Sequence, residues 1–184
     1  MRVIGGSAKG IRLAPVPRGV RPVSDMAREG VFSSLGEFVA GARVLDLYAG
    51  TGAMGLEALS RGAARAVLVE RDRSAVRAIR ENLERTRLAE LAEVVRADVT
   101  RFVTRDDKKR DRFDLVLVDP PYATPPEQVQ GVLAELARGW LAGEGARVVL
   151  TRPTRSSTLV IPVHFAVARR LTYGDTLVLI IREA

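Results

Sequence analysis

The chain has 184 residues, 47% of them hydrophobic, and 29 Lys and Arg against 22 Asp and Glu give a formal net charge of +7. That length fits one domain or one domain with a small appendage, and the apolar share is enough for a sizeable core. The absence of cysteine excludes disulfides and thiolate chemistry, no apolar run is long enough to span a membrane, and no signal-like start is present, so a cytoplasmic protein is expected. An isoelectric point of about 10.6 fits a nucleic-acid partner and fits equally a solvated surface rich in Arg.

Residues 2–22 contain Arg2, Lys9, Arg12, Arg18 and Arg21 and no acidic residue. Val3-Ile4 and Ile11-Arg12-Leu13 can pair as a β-hairpin around Gly5-Gly6-Ser7, ended by Pro15, Pro17 and Pro22. Residues 1–22 are therefore read as a basic arm that meets nucleic-acid phosphates, set before a main domain at 23–184; the competing reading is a disordered or crystal-packed N-terminus. Ser24-Asp25 is an N-cap candidate for a helix over 26–35.

A strand over Arg43–Tyr48 leads into Ala49-Gly50-Thr51-Gly52-Ala53-Met54-Gly55, a G-x-G-x-x-G run between a strand and a helix at Leu56–Arg61. Gly50 and Gly52 would let backbone approach a ligand. Ala66–Glu70 is the second strand, and a carboxylate at its tip can accept the hydroxyls of a ribose. A helix from Asp72 through Arg87 follows, then a strand over Leu91–Asp98. Asp98 is open to two readings, a hydrogen bond to an adenine amino group or an N-cap for the helix around Thr100–Val103.

The mixed-charge run Arg105–Asp111 reads as a solvated loop, and Asp114–Val118 as a buried parallel strand. That strand stops at Asp119-Pro120-Pro121-Tyr122. Two prolines cannot donate to a ladder, so the chain must leave the sheet with a carboxylate, a free carbonyl and an aromatic ring held on a stiff turn. Glu127–Leu141 is helical in pattern and Arg147–Leu150 is a fifth strand. Val163–Leu171 and Thr176–Ile181 are strands joined through Tyr173-Gly174-Asp175; a tight hairpin makes the last strand antiparallel and the sheet mixed. His164, the sole histidine, is read as structural.

Asp46, Glu70, Asp98 and Asp119 thus fall along one edge of a sheet beside a glycine loop. A pyrophosphate would be repelled there, whereas the sulfonium and ammonium groups of S-adenosylmethionine would be met. Loop, acid and D-P-P-Y in this order make a strong combined signal where the glycine motif alone is weak.

On these residues the chain resembles a class I methyltransferase of the N-methylating kind, whose signature is [DNS]-P-P-[YFW]. It resembles more closely the bacterial RsmD family, which methylates the exocyclic N2 of a guanine in 16S ribosomal RNA. The likeness is carried by Arg2-Val3-Ile4-Gly5-Gly6 with Lys9-Gly10, by Arg21-Pro22-Val23-Ser24-Asp25 with Arg28-Glu29 and Phe32, by Leu45–Gly52, by Asp119–Tyr122 and by Tyr173–Thr176. The resemblance implies an α/β fold of the Rossmann-like class I type, with a seven-stranded mixed sheet and an antiparallel last strand. It implies Asp119, Pro120 and Tyr122 as catalytic residues, and S-adenosylmethionine held by Asp46, Tyr48, Gly50, Gly52, Glu70, Arg71, Asp98, Val99 and Asp119. It also implies action on 16S RNA or an assembling 30S subunit, with the basic residues of the arm on the RNA; a monomer without a metal is expected. Methyl transfer to DNA adenine, another RNA base or a protein amide, and a non-catalytic RNA-binding assembly protein, stay open as alternatives. The intact loop and D-P-P-Y disfavour lost catalysis.

Overall fold

The central strands are aliphatic on both faces and must be covered twice. The computed structural model describes residues 1–15, 22–105, 112–155 and 161–183. Its strands are β1 (Arg43–Leu47), β2 (Arg65–Glu70), β3 (Ala92–Arg96), β4 (Leu115–Val118), β5 (Arg147–Pro153), β6 (Phe165–Tyr173) and β7 (Thr176–Glu183). They form one seven-stranded sheet in the order β3-β2-β1-β4-β5-β7-β6. The first five run parallel, and β7 lies antiparallel to both β5 and β6. This is the expected α/β, Rossmann-like mixed sheet, with β7 inserted inside the edge strand β6.

The helices are α1 (Asp25–Leu35), α2 (Ala53–Ser60), α3 (Arg73–Thr86), α4 (Val99–Val103) and α5 (Pro126–Ala137). Alternate strand residues divide the interior. Val44, Leu68, Leu117 and Val149 face α1 to α3 through Phe32, Leu56, Leu59 and Ile79. Leu45, Val69, Val116 and Leu150 face α4 and α5 through Phe102 and Leu133, with Trp140 beyond the end of α5 in the same cluster. The chain winds from β1 out to β3 and then returns to β4. That reversal opens a crevice at the carboxyl ends of β1 and β4.

Several boundaries differ from the sequence pattern for tertiary reasons. Helix α2 begins at Ala53 because the Asp46 carboxylate of β1 caps it from below, accepting the Gly55 N–H at 2.9 Å. Helix α5 ends at Ala137, short of Leu141, because the chain beyond it pairs back: the Phe113 N–H donates to the Trp140 carbonyl at 2.8 Å and Ala142 N–H to Phe113 O at 2.9 Å. Trp140 is then fully buried, its indole N–H donating to the Val103 carbonyl. Strand β5 continues to Pro153 and β6 begins at Phe165, leaving His164 exposed before it. Asp98 lies after β3 as the N-cap of α4, accepting from the Arg101 N–H, which is the capping alternative of the two. The run at 106–111 lies outside the described residues.

The N-terminal hairpin forms as a single antiparallel bridge between Arg2 and Arg12, flanked by Val3 N–H to Ile11 O and Gly10 N–H to Val3 O. It does not project. Val3, Ala8 and Leu13 are buried in the same core as α1 and α2. The buried Glu57 of α2 accepts the Ile4 and Gly5 N–H groups, each at 2.8 Å, and the Arg61 guanidinium at 2.7 Å. Ser60 accepts the Ala8 N–H and donates to the Gly5 carbonyl. Gly6, at φ 77°, passes so close to the Ser60 carbonyl that a Cβ would lie 1.7 Å from it. Buried Arg28 holds Arg2 O and Asp25 through one nitrogen.

Glu57→Ala strips the acceptor from two amide groups in the interior, so the variant should lose about 2–4 kcal/mol in urea unfolding. Ser60→Ala should lose roughly 1–3 kcal/mol on the same grounds. A loss below about 0.5 kcal/mol in both, the range of an ordinary surface change, would mean that the N-terminal segment is not docked.

Candidate active site

The crevice between β1 and β4 is a cavity of about 710 Å³. It is bounded by the glycine loop after β1, by Glu70 and Arg71 after β2, by Asp98 and Val99 after β3, and by Asp119 to Pro125 after β4. That volume is in the range of small-molecule and cofactor sites. Asp46, Tyr48, Gly50, Glu70, Arg71, Asp98, Val99, Asp119, Pro120 and Tyr122 all line it. Gly52 lies beneath the loop, at φ 78°, where a Cβ would press on Leu56 and Leu68 at 3.0 and 3.1 Å.

The loop is held by side chains from two strands. Glu70 accepts the Gly50 N–H at 2.9 Å through one oxygen and the Asp72 N–H at 2.8 Å through the other. Each oxygen keeps a lone pair for a ligand hydroxyl. Asp46 lies within β1, not at its tip, and is only 1% exposed. Its first partner is the Gly55 N–H, so this carboxylate caps the start of α2 while it lines the cavity. Burial, opposed by that hydrogen bond and reinforced by the charges of Asp119 and Glu70, pushes its pKa from 3.8 up to about 8. A cation in the cavity would relieve this crowding, and a pyrophosphate would worsen it. The residues present therefore suit S-adenosylmethionine. Tyr48 carries a left-handed backbone at φ 62°, a strained conformation for a side chain of its size. Burial raises its hydroxyl to about 12, and that oxygen has no hydrogen-bond partner among the described residues.

On the opposite wall, Asp119 ends the β4 ladder, its N–H still donating to Leu47 O at 3.4 Å. Pro120 and Pro121 then lead the chain out, and Thr124 N–H closes the turn on Pro121 O at 2.8 Å. Burial raises the Asp119 carboxyl to about 6 against the opposing effect of the Thr151 hydroxyl, which donates to it from β5. The hydroxyls of Tyr122 and Thr176 stand 3.2 Å apart, which leans the ring on β7.

Sequence patterns pass over four residues of this region. Thr151 and Arg152 sit in an apolar strand, and nothing local marks Thr124, whose carbonyl accepts from Arg152 at 3.2 Å. Asn82 looks like part of the polar face of α3 but is fully buried, donating to Thr51 O at 2.9 Å and accepting the Ala14 N–H at 2.6 Å. It ties the hairpin segment to the glycine loop. Arg2, Lys9 and Arg12 are exposed and line no part of the cavity, and Arg18 and Arg21 lie outside the described residues. Among the described residues no cluster of metal-ligating side chains occurs, and no helix is long and apolar enough to cross a membrane.

A folded carboxyl with a raised pKa binds a proton that the unfolded chain has released, so its contribution to stability falls as pH rises from the unfolded to the folded value. For Asp46 that window runs from 3.8 to about 8. Asp46→Asn keeps an acceptor for Gly55 and removes the titration. Its stability relative to the unsubstituted protein should therefore rise with pH, by at most about 1.4 kcal/mol per unit. Denaturant melts across that window check this; a pH-independent difference would mean that Asp46 folds ionised.

Comparison with known proteins agrees with this geometry. Ribosomal RNA small subunit methyltransferase D of Escherichia coli K12 is 35% identical over 182 residues, covering 95% of this chain and 86% of its own. The solved structure of a hypothetical protein of Thermus thermophilus superposes with a TM-score of 0.83 at 34% identity, over 100% of this chain and 99% of that one. The Escherichia coli protein yhhF superposes with a TM-score of 0.84 at 31% identity, over 100% and 97%. The family described as Conserved hypothetical protein 95 matches residues 1–182. By these matches, and by the glycine loop and D-P-P-Y turn that face each other across its crevice, the chain belongs to that family, the RsmD family of methyltransferases.

Proposed function

We propose that this protein transfers a methyl group from S-adenosylmethionine to the exocyclic N2 of a guanine in 16S ribosomal RNA, free or in an assembling 30S subunit. It does so as a cytoplasmic monomer without a metal. The observation that carries the reading is the placement of Asp119-Pro120-Pro121-Tyr122 directly across the β1–β4 crevice from the glycine loop, in a chain similar to a small-subunit ribosomal RNA methyltransferase. Asp46, Tyr48, Gly50, Gly52, Glu70, Arg71, Asp98, Val99 and Asp119 are the residues that would hold the cofactor, with the Glu70 carboxylate on the ribose. S-adenosylmethionine supplies the electrophilic methyl carbon on its sulfonium.

The chain's own residues prepare the amine. The guanine N2 lone pair is delocalised into the ring, so the nitrogen must be oriented and its hydrogens held. The Asp119 carboxylate and the Pro120 carbonyl accept the two N–H bonds and stabilise the positive charge that develops. With a pKa of about 6, Asp119 is ionised at neutral pH, as this role requires. Tyr122 stacks on the base, a contact worth about 1–3 kcal/mol, and the nucleotide must be unpaired or flipped to reach it. On this reading residues 1–22 contact RNA and 23–184 form the methyltransferase domain. Arg2 and Arg12 face each other across the hairpin bridge, exposed and with no ion-pair partner among the described residues. Like charges placed opposite one another are unfavourable unless an anion answers them.

Asp119→Ala should abolish transfer and leave cofactor affinity within a few-fold; surviving turnover would remove Asp119 from the mechanism. Single-turnover rates should rise with pH through a midpoint of about 6 before levelling off, and Thr151→Val, which removes the bond that lowers this pKa, should move that midpoint upward. Incubation with labelled S-adenosylmethionine and 30S particles, naked 16S RNA, 23S RNA or DNA, followed by mapping of the modified base, tests the substrate; label in DNA alone would overturn it. Because the hairpin shares the core, its role is tested by substitution and not by deletion. Arg2→Gln with Lys9→Gln and Arg12→Gln should reduce the salt slope of RNA binding by about 2, at roughly 0.7 per single-strand phosphate contact. An unchanged slope would leave the hairpin a purely structural role.

A further inference from the structure

Behind the D-P-P-Y turn lies a second pocket of about 320 Å³, which shares Tyr122, Ala123, Thr124 and Pro125 with the main cavity. Its other walls are Pro126, Arg152, Pro153 and Arg155, and among the described residues no carboxylate lines it. Arg152 is 3% exposed. One terminal nitrogen donates to Thr124 O at 3.2 Å, its Nε is buried without a partner, and it has no ion-pair partner among the described residues. A guanidinium withdrawn from water without a counter-charge is unfavourable, and its fork geometry suits two oxygens of one phosphate. Arg155 stands exposed at the rim.

We propose that this pocket is an anion subsite that takes a backbone phosphate of the RNA beside the target nucleotide. The inference rests on the methyltransferase reading above. With the base stacked on Tyr122 in the cavity, the strand continues over the shared wall of the turn, and the phosphate of the neighbouring nucleotide enters between Arg152 and Arg155. Phosphate contacts of this kind set register without reading sequence. The two guanidiniums thus fix which base along the strand reaches Asp119.

The test uses the full chain with 16S RNA and labelled S-adenosylmethionine. Arg152→Gln and Arg155→Gln should each raise the KM for RNA about tenfold and lower the salt slope of RNA binding by roughly 0.7, the value for one single-strand phosphate contact. Cofactor affinity and the kcat at saturating RNA should stay within about twofold. Arg155 is exposed, so its variant decides the matter if Arg152→Gln does not fold. An unchanged slope in a folded variant, with the unsubstituted protein labelling RNA normally, overturns the subsite alone. Loss of cofactor affinity in step with RNA affinity also overturns it, since Arg152 would then be supporting the main cavity. Unsubstituted protein that labels no RNA overturns the functional reading and the subsite together.

Discussion

Two backbone amides and the carboxylates that receive them hold this architecture to its task. A glycine loop at a topological switch point has the freedom to approach a ligand, and the same freedom would let it collapse. Glu70 fixes Gly50 from β2, and Asp46 fixes Gly55 from within β1. Both acids remain at the cavity wall while doing so. The loop is thereby rigid before any ligand arrives, at the cost of a carboxyl kept in an environment that disfavours its charge and of a tyrosine in a left-handed conformation. Strain gathered at one edge of the sheet is a common mark of a preorganised site.

The facing wall is built in the same manner from different strands. Asp119 belongs to β4, yet its hydrogen bond comes from Thr151 of β5, and Tyr122 is steadied by Thr176 of β7. The D-P-P-Y turn is stiff through its prolines and is aimed by the strands beside it. Strand order decides function here, because inserting any other strand between β4 and β5 would leave the carboxylate without its donor.

What could be read from the chain is what depends on local chemistry. Continuous aliphatic runs marked the strands, Gly50 and Gly52 between a strand and a helix marked the loop, and paired prolines after Val118 marked the exit from the sheet. What could not be read depends on partners far along the chain. Glu57 and Asn82 sit in helical stretches where a polar residue usually means a solvated face; both are fully buried because they serve amides 52 to 68 residues away. Arg152 lies in a strand tail where nothing nearby in sequence indicates burial. The start of α2 was displaced for the same reason, since its cap arrives from β1. Likewise the hairpin reads as an appended arm by composition, and only the packing of Val3, Ala8 and Leu13 makes it part of the core.

The position of β7 has a consequence for how such a chain reaches its native state. Among the described residues, β6 pairs with the sheet only through β7, which bridges it to β5. β6 therefore cannot add to the growing sheet by itself, although it is made first. Joined through the turn at Gly174, the two strands cover the β5 edge, which without them would stand bare and hydrophobic. An unpaired edge of that kind is an invitation to self-association. A five-stranded parallel sheet without that hairpin would end at β5, and the β6–β7 hairpin is the piece that seals it.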